Sequence, residues 1–347
     1  MNANQPLVSI LVPVRNEERY IERCLYAIAA QDYPRDRIEV LVVDGMSGDR
    51  TRELVMRFAA ESTLDVRVLD NPRRLPAAAL NIGLREAHGS LIMRVDGHAA
   101  PAPDYLRRCI AALEANDAEC AGGVLENEGE TYVGRAIAAA MSSRFGVGSA
   151  AFRTGGKAGD VDTVAFGVYR ADVFPEIGGF DETIDRGEDD EFNYRLRDAG
   201  GRIVLVPEAR VTYTVRGDFV SLVRQYFGYG HAKPRVLALH PRQARGRQLA
   251  PAVAVASGTA AVILAARGRD TMLRRLIQTY ALASIAASFQ AARRTNRWEV
   301  LPVLPAVFAC LHVPYALGFI AGIGSLAASL VRRDAAPRAE SAESPFV

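Results

Sequence analysis

Between Leu7 and about Val215, short runs of β-branched and apolar residues alternate with stretches whose apolar positions recur every three to four residues. That alternation predicts strands interleaved with amphipathic helices, an α/β domain with a mostly parallel sheet. Strands are expected over residues 8–12, 39–43, 66–69, 91–95 and 203–206, and helices near 17–31, 49–60, 77–87 and 104–115. Start signals are present: Asn16 precedes the first helix, Ser47 and Asp49 open the second, and Pro103 with Asp104 opens the fourth. In such sheets ligands bind beyond the carboxyl ends of the strands. Residues 13–17, 44–49, 70–74 and 96–98 are therefore the ones to watch.

The pattern changes near Arg216. Residues 216–247 carry seven basic side chains (Arg216, Arg224, Lys233, Arg235, Arg242, Arg245, Arg247) against one acid, Asp218, with Tyr226, Phe227 and Tyr229 interleaved. Apolar runs follow. Residues 249–266 form an uncharged run of 18, residues 276–289 one of 14, and residues 300–331 one of 32 whose group titrating near neutrality is His312. Uncharged runs of about 18 or more are membrane-helix candidates. Pro302, Pro305 and Pro314 suggest that the third run enters through a break before it spans. The first run is rich in Ala, Gly, Ser and Thr and the second is short, so interfacial or hairpin helices stay open beside full crossings. Basic loops flank both, and the positive-inside rule cannot put both on one side if every run crosses. A buried soluble helical domain is the alternative. The basic segment beside these runs suits anionic lipid head groups, worth about 1 kcal/mol per basic residue, rather than nucleic acid; a solvated helix face is the plain alternative. This divides the chain into 1–215, a catalytic domain; 216–248, a basic juxtamembrane segment; 249–331, membrane-associated helices; and 332–347, a polar tail expected to be disordered.

Charge follows the same division. Overall the 347 residues carry 42 basic and 40 acidic side chains, net +2, and are 49% hydrophobic, which argues against a disordered or nucleic-acid-coating chain. Residues 1–213 are net −9 and residues 214–347 net +11. Four dispersed cysteines, with no C-x-x-C pair and no secretory signal, read as free thiols in a reducing compartment.

Three acidic clusters fall in the loops that the strand pattern makes adjacent. In VVDGMSGDRT, Asp44 ends a strand where a carboxylate can accept from a base N–H or a ribose hydroxyl, although Asp-Gly turns and Asp caps are common without function. In LIMRVDGHAAP, Asp96 and His98 lie two residues apart, able to face a common divalent ion that takes its other ligands from phosphate and water, or simply to form a turn. In DRGEDDEFNYRLRDAG, four acids from Glu188 to Glu191 open a helix. The macrodipole favours acids there, but four together repel and raise the pKa of at least one, as a general base requires.

In this order the clusters resemble family 2 glycosyltransferases of GT-A fold, over about residues 7–230. SILVPVRNEERYIERCLYAIAAQDYP is similar to that family's first strand and helix, VVDGMSGDRT to its nucleotide loop, NPRRLPAAALNIGLREAHGSLIMRVDGHA to its helix and metal motif, and FGVYRADVFPEIGGFDETIDRGEDDEFNYRL to its acceptor segment and catalytic Glu-Asp. RVDGH, EDDEFNYRLR, RQYFGYG and CLHVPYALGFIAG resemble the succinoglycan-biosynthesis glucosyltransferase group, which carries a membrane-associated C-terminal region. The resemblance implies inverting transfer of one sugar from a nucleotide diphosphate sugar, a UDP-sugar in the first instance, to a hydroxyl of a polyprenyl-linked saccharide in exopolysaccharide or cell-envelope synthesis. It implies Mg2+ or Mn2+ held by Asp96 with His98, and Asp189 as base, with Glu188 or Asp190 holding the acceptor or tuning it. Pro13, Val14, Arg15, Glu17, Asp44 and Asn81 would bind the nucleotide sugar, and Arg73 or Arg74 the leaving phosphate. Arg224, Gln225, Tyr226 and His231 would lie on the acceptor or diphosphate side. The enzyme would sit on the cytoplasmic face of the inner membrane, with anionic lipids but no nucleic acid as partners. Two departures stand out: Asp96-Gly97-His98 replaces a two-carboxylate motif, and the Q-x-x-R-W element of processive relatives is absent. A polyprenyl-phosphate sugar synthase shares these motifs, and an inactive nucleotide-sugar-binding scaffold is the non-enzymatic alternative.

Overall fold

The computed structural model describes residues 5–243 and 246–335, and nine strands form a single sheet. Its first half follows the hydrophobic pattern. The strands β1 (Val8–Val14), β2 (Ile38–Asp44), β3 (Asp65–Asp70) and β4 (Leu91–Arg94) pair parallel in the order β3-β2-β1-β4. They are linked by α1 (Ile21–Ala29), α2 (Thr51–Glu61) and α3 (Pro76–Glu86). Strand β2 is buried at every position and β1 nearly so, which is why they read as unbroken apolar runs.

In the second half the expected helix near 104–115, the helix opened by Glu188–Glu191 and the strand over 203–206 are found, and the elements between them were concealed. After β5 (Ala99–Pro101) and α4 (Tyr105–Asn116) come β6 (Cys120–Glu128), α5 (Tyr132–Met141), α6 (Arg144–Val147) and α7 (Ala151–Thr154). Then follow β7 (Gly159–Asp160), β8 (Val168–Arg170), α8 (Val173–Ile177), α9 (Glu188–Asp198) and the long β9 (Ile203–Thr214). Strand β8 joins β4 and β6 antiparallel, β9 lies parallel to β6, and β5 and β7 pair antiparallel with β9, so the sheet is mixed. Three of these strands have three residues or fewer, and β6 carries Gly122 and Gly123 and ends Glu-Asn-Glu. None offers a hydrophobic period to read.

The core lies on both faces of the sheet. Val8, Ile10 and Val12 pack with Ile21, Leu25, Val55 and Tyr105 on one side, and Leu11, Leu41 and Ile92 with Leu80, Phe180 and Phe192 on the other. Helix α1 begins four residues later than the Asn16 signal suggests. Asn16 instead adopts a left-handed backbone (φ 57°), its N–H donating to Ser47 Oγ (2.9 Å) and its Oδ1 accepting from Gly48 N (2.9 Å). The two loops after β1 and β2 are thereby tied together.

Beyond β9 the chain is helical: α10 (Phe219–Leu239), α11 (Gly246–Ala266), α12 (Thr271–Thr295) and α13 (Leu304–Ala335). The three apolar runs become α11, α12 and α13. Within α13, Leu304–Ala328 is long and apolar enough to cross a membrane, with mean hydropathy 1.9; among the described residues it is the one helix that is. Pro305 falls in its first turn, and Pro314 lies inside it without ending it, so the expected break is confined to the entry. Large apolar side chains stand exposed along the helices, among them Val262, Ile277, Leu282, Ile285, Val313 and Leu317.

Helices α10 and α13 meet backbone to backbone. A β-carbon on Gly230 would overlap the Tyr315 carbonyl, one on Gly318 the Phe227 carbonyl, and one on Gly322 the His231 carbonyl. The Gly318-x-x-x-Gly322 spacing puts two of these contacts on one helix face, an arrangement that suits close helix packing in apolar surroundings. His312 ties α13 to the catalytic domain, its Nε2–H donating to Phe145 O (2.8 Å) while its Nδ1 accepts from Tyr280 Oη (3.0 Å). Of the tail expected to be disordered, 332–335 continue α13 and 336–347 lie outside the described residues, as does Arg245.

Candidate active site

The carboxyl ends of β1, β2 and β4 and the start of α9 border one cavity of about 1250 Å³ that extends between the C-terminal helices. It is lined by Pro13, Val14, Arg15, Glu17, Arg74, Asp96 and His98 from the sheet end, by Glu188, Asp189 and Asp190 from α9, and by Gln225 and Tyr226 from α10. The structure brings these sequence-derived candidates together although they span more than half of the chain.

Five other candidates do not line it. The Asp44 carboxylate is buried beneath the loop, where Oδ1 accepts from Ser47 N (3.1 Å) and Oγ (2.6 Å) and Oδ2 faces Arg52 (3.6 Å); its neighbour Gly45 is the residue that reaches the cavity. Asn81 is consumed structurally. Its Nδ2 donates to Phe180 O and Glu182 Oε1 (both 2.8 Å) and its Oδ1 accepts from Phe180 N (2.8 Å), anchoring the segment before α9. Arg73 is exposed and paired with Glu182. Arg224 is exposed on α10, and His231 faces α13, where Nε2 meets Ser325 Oγ (3.1 Å). Helix periodicity explains the last two, because Gln225 and Tyr226 occupy the cavity face of α10 and their neighbours turn away.

At the centre of the acidic wall stands Arg94, the last residue of β4, which the sequence reading passed over. Its guanidinium lies 3.1 Å from Asp96 Oδ1, 3.0 Å from Glu188 Oε1 and 3.7 Å from Asp189 Oδ2. One cation thus bridges the candidate metal ligand and the candidate base. Nothing local in Met-Arg-Val announces this, since two of the three partners lie some ninety residues downstream.

The four consecutive acids of α9 separate by partner. Glu188 faces Arg94, Asp189 points into the cavity, Asp190 accepts from Lys233 Nζ (2.6 Å), and Glu191 binds Arg195 (2.8 Å) and His240 (3.1 Å). Cation partners offset part of the repulsion expected among them, and burial is the larger cause of the raised pKa values. Burial lifts the Glu188 carboxyl from an ordinary 4.5 to about 7, with Arg94 opposing and Asp189 adding to the rise. Asp189 is also raised by burial and by the charges of Asp190 and Asp96, against the pull of Arg94. A base whose pKa lies above the usual carboxylate range is better matched to neutral pH. Lys233 comes from the basic segment, so part of that segment serves the site instead of a surface.

His98 is committed through Nδ1–H to Glu17 Oε1 (2.9 Å), and its ring packs edge-on against Tyr213. Burial works against charge on the imidazole, but the hydrogen bond and carboxylate of Glu17 outweigh it and hold the pKa above its ordinary value. Between Asp96 and His98 a side chain has no room, because a β-carbon on Gly97 would press on Val14 and Glu17. No group of three His, Cys, Asp or Glu forms a metal cage among the described residues. A single exposed-edge carboxylate fits an ion such as Mg2+, which takes most of its ligands from substrate phosphates and water. Asn71 also lines the cavity, with Oδ1 buried and unpaired while Nδ2 donates to Leu75 O (2.9 Å). It offers an acceptor suited to a base N–H, and its place in the loop after β3 was the available signal.

A model of glycosyl transferase family 2 matches residues 9–178. The succinoglycan biosynthesis protein ExoA of Rhizobium meliloti is 32% identical over 246 residues, 70% of this chain and 73% of that protein. A dolichyl N-acetyl-alpha-D-glucosaminyl phosphate 3-beta-D-2,3-diacetamido-2,3-dideoxy-beta-D-glucuronosyltransferase of Methanococcus voltae is 28% identical, covering 65% of this chain and 72% of that protein. Among solved structures, the mannosyltransferase PcManGT from Pyrobaculum calidifontis, in complex with GDP-Man and Mn2+, shares the fold at TM-score 0.65 over 92% of this chain and 88% of that chain, with 21% identity.

Proposed function

The chain belongs to glycosyl transferase family 2, and from that premise we propose that it moves a single sugar from a nucleoside diphosphate sugar, a UDP-sugar in the first instance, to a hydroxyl of a polyprenyl-linked saccharide. The observation that carries this reading is the convergence of Asp96, Glu188 and Asp189 on Arg94 in the wall of one cavity. Two relatives, a succinoglycan biosynthesis protein and a glycosyltransferase named for a dolichyl phosphate-linked sugar, support the acceptor class.

In this reading Asp189 takes the proton of the acceptor hydroxyl as its oxygen attacks the anomeric carbon from the face opposite the diphosphate, giving inversion. Arg94 holds that carboxylate in place and keeps the acidic wall from repelling the incoming diphosphate. Glu188 tunes Asp189 through their shared guanidinium, and Asp190 with Lys233 fixes the first turn of α9. Asp96 would hold a divalent ion, Mg2+ or Mn2+, which when bound offsets charge on the leaving phosphate; His98 orients the loop through Glu17. Arg15, Glu17 and Arg74, with the backbone of Pro13 and Val14 and the free Oδ1 of Asn71, hold the nucleoside and its phosphates.

The exposed apolar side chains of α11 to α13, the span-length segment of α13 and the excess of basic residues after Val215 support attachment to the inner membrane with the catalytic domain on its cytoplasmic side. The deciding experiment is Asp189→Asn. UDP affinity should persist while transfer falls by about 10²- to 10⁴-fold, the contribution of a general base. Near-normal transfer would remove Asp189 from this role and favour a phosphate acceptor, which needs no base.

A further inference from the structure

Two cations of the cavity wall are matched to acids, Arg94 to three carboxylates and Lys233 to Asp190. Arg153 is not. It projects from α7, its guanidinium carbon 5.3 Å from the Phe152 ring centre, with Nη1 buried and without a hydrogen-bond partner and with no carboxylate within ion-pair distance among the described residues. Tyr213, Tyr226, Tyr229 and Asp189 are the polar groups within its electrostatic reach. Other lining arginines share this lack of an acid partner, Arg186 and Arg216 among them. Arg186 lies over the Tyr229 ring (5.9 Å), and Arg216 flanks the Tyr213 and His98 pair.

An arginine N–H buried without a partner is costly, so its retention beside a cavity points to an anion supplied from outside. In the proposed reading the nucleotide's phosphates are met at the strand ends by Arg15 and Arg74, and Asp96 would reach them through a divalent ion. Arg153 shares its cavity with Asp189 and with the apolar Phe145, Val147, Ala254, Leu311 and Ala316, the last three from the C-terminal helices. One cavity thus holds a proton acceptor, an unpaired guanidinium N–H and an apolar lining. A lipid-linked saccharide presents the matching hydroxyl, phosphate and hydrocarbon.

We propose that Arg153, assisted by Arg186 and Arg216, binds the phosphate of a lipid-linked acceptor, whose first isoprenoid units lie against the apolar lining supplied by α11 and α13. This rests on the reading of the chain as a transferase acting on a lipid-linked saccharide. It places the acceptor phosphate chiefly on Arg153, in a helix with no sequence signal of its own, while Arg224 and His231, expected on the acceptor or diphosphate side, do not line the cavity.

The test uses the full chain in detergent with farnesyl diphosphate, inorganic pyrophosphate, farnesol and UDP as binding probes. Wild type should bind farnesyl diphosphate and UDP without mutual competition, and farnesol weakly. Arg153→Gln should weaken farnesyl diphosphate by about tenfold or more, the loss expected for a charge-assisted contact, and leave UDP within about twofold. Arg186→Gln, a change at an exposed side chain that folding does not depend on, should weaken it by a smaller factor and keeps the test alive should Arg153→Gln misfold. Equal weakening of UDP would assign Arg153 to the donor and overturn the proposal. Pyrophosphate binding as tight as farnesyl diphosphate would overturn the lipid contact, and unchanged farnesyl diphosphate affinity in both variants would overturn the anion site. Failure of wild type to bind UDP would instead strike the underlying transferase reading.

Discussion

Glu188→Gln isolates the electrostatic cost of the acidic wall. The Glu188 side chain is 5% exposed and its Oε1 lies 3.0 Å from Arg94, yet burial still carries its pKa from 4.5 to about 7. Below about pH 4.5 the carboxyl is protonated in folded and unfolded chains alike and adds no pH dependence. Between there and pH 7 the unfolded chain ionises first, so wild type loses stability as pH rises, and above pH 7 the loss is complete. At about 1.4 kcal/mol for each step of one in pKa, the loss amounts to about 3 kcal/mol. Glutamine keeps the shape and removes the titration. The unfolding temperature of Glu188→Gln, measured in EDTA and detergent, should therefore climb relative to wild type between pH 4.5 and 8, by roughly 6 °C for a domain of about 200 residues. Taking the difference between two proteins at each pH cancels the titrating groups that do not interact with Glu188. Arg94→Leu should move the opposite way, losing stability relative to wild type as pH rises, because three carboxylates then lack their shared cation. A Glu188→Gln difference that is flat with pH, or that favours wild type at pH 8, would show that the ion pair with Arg94 outweighs burial and would refute the reasoning.

Chelation should abolish sugar transfer and added Mn2+ or Mg2+ restore it, read with a radiolabelled nucleotide sugar and a membrane extract as acceptor source; transfer surviving exhaustive metal removal would defeat the role given to Asp96. Replacing Ile277, Leu282 and Ile285 on α12 with Asp should raise the fraction of protein left in the supernatant after high-speed centrifugation of lysed cells. Complete sedimentation of that triple variant with membranes would place the attachment elsewhere.

How much of this was legible depends on the range of the interactions. Strands β1 to β4 could be read because each is a local apolar run with helices of clear period between them. The ends of those strands pointed to Pro13, Glu17 and Asp96, and four acids in one turn pointed to α9. The Asn16 and Asn81 readings failed for a shared reason: an Asn can satisfy its amide with backbone far away in sequence, with Gly48 in one case and Phe180 in the other. Arg94, Lys233 and Arg153 were invisible because their meaning lies in what surrounds them. Arg94 is an ordinary strand-end residue until α9 folds over it, and Lys233 was one of seven basic residues until helix geometry turned it inward. Arg153 is marked by the absence of an acid, a property that no local pattern encodes.

The backbone contact between α10 and α13 bears on how turnover responds to its surroundings. Because Gly230, Gly318 and Gly322 leave no cushion of side chains between the two helices, α10 cannot swing open as a lid, and Tyr226, Tyr229 and Lys233 move only as far as α13 moves. In a bilayer, a helix of this length answers a change of hydrocarbon thickness by tilting. In the membrane-attached enzyme proposed above, that tilt would be carried as by a rigid lever to the wall facing Asp189, and acyl-chain length would then be a determinant of rate.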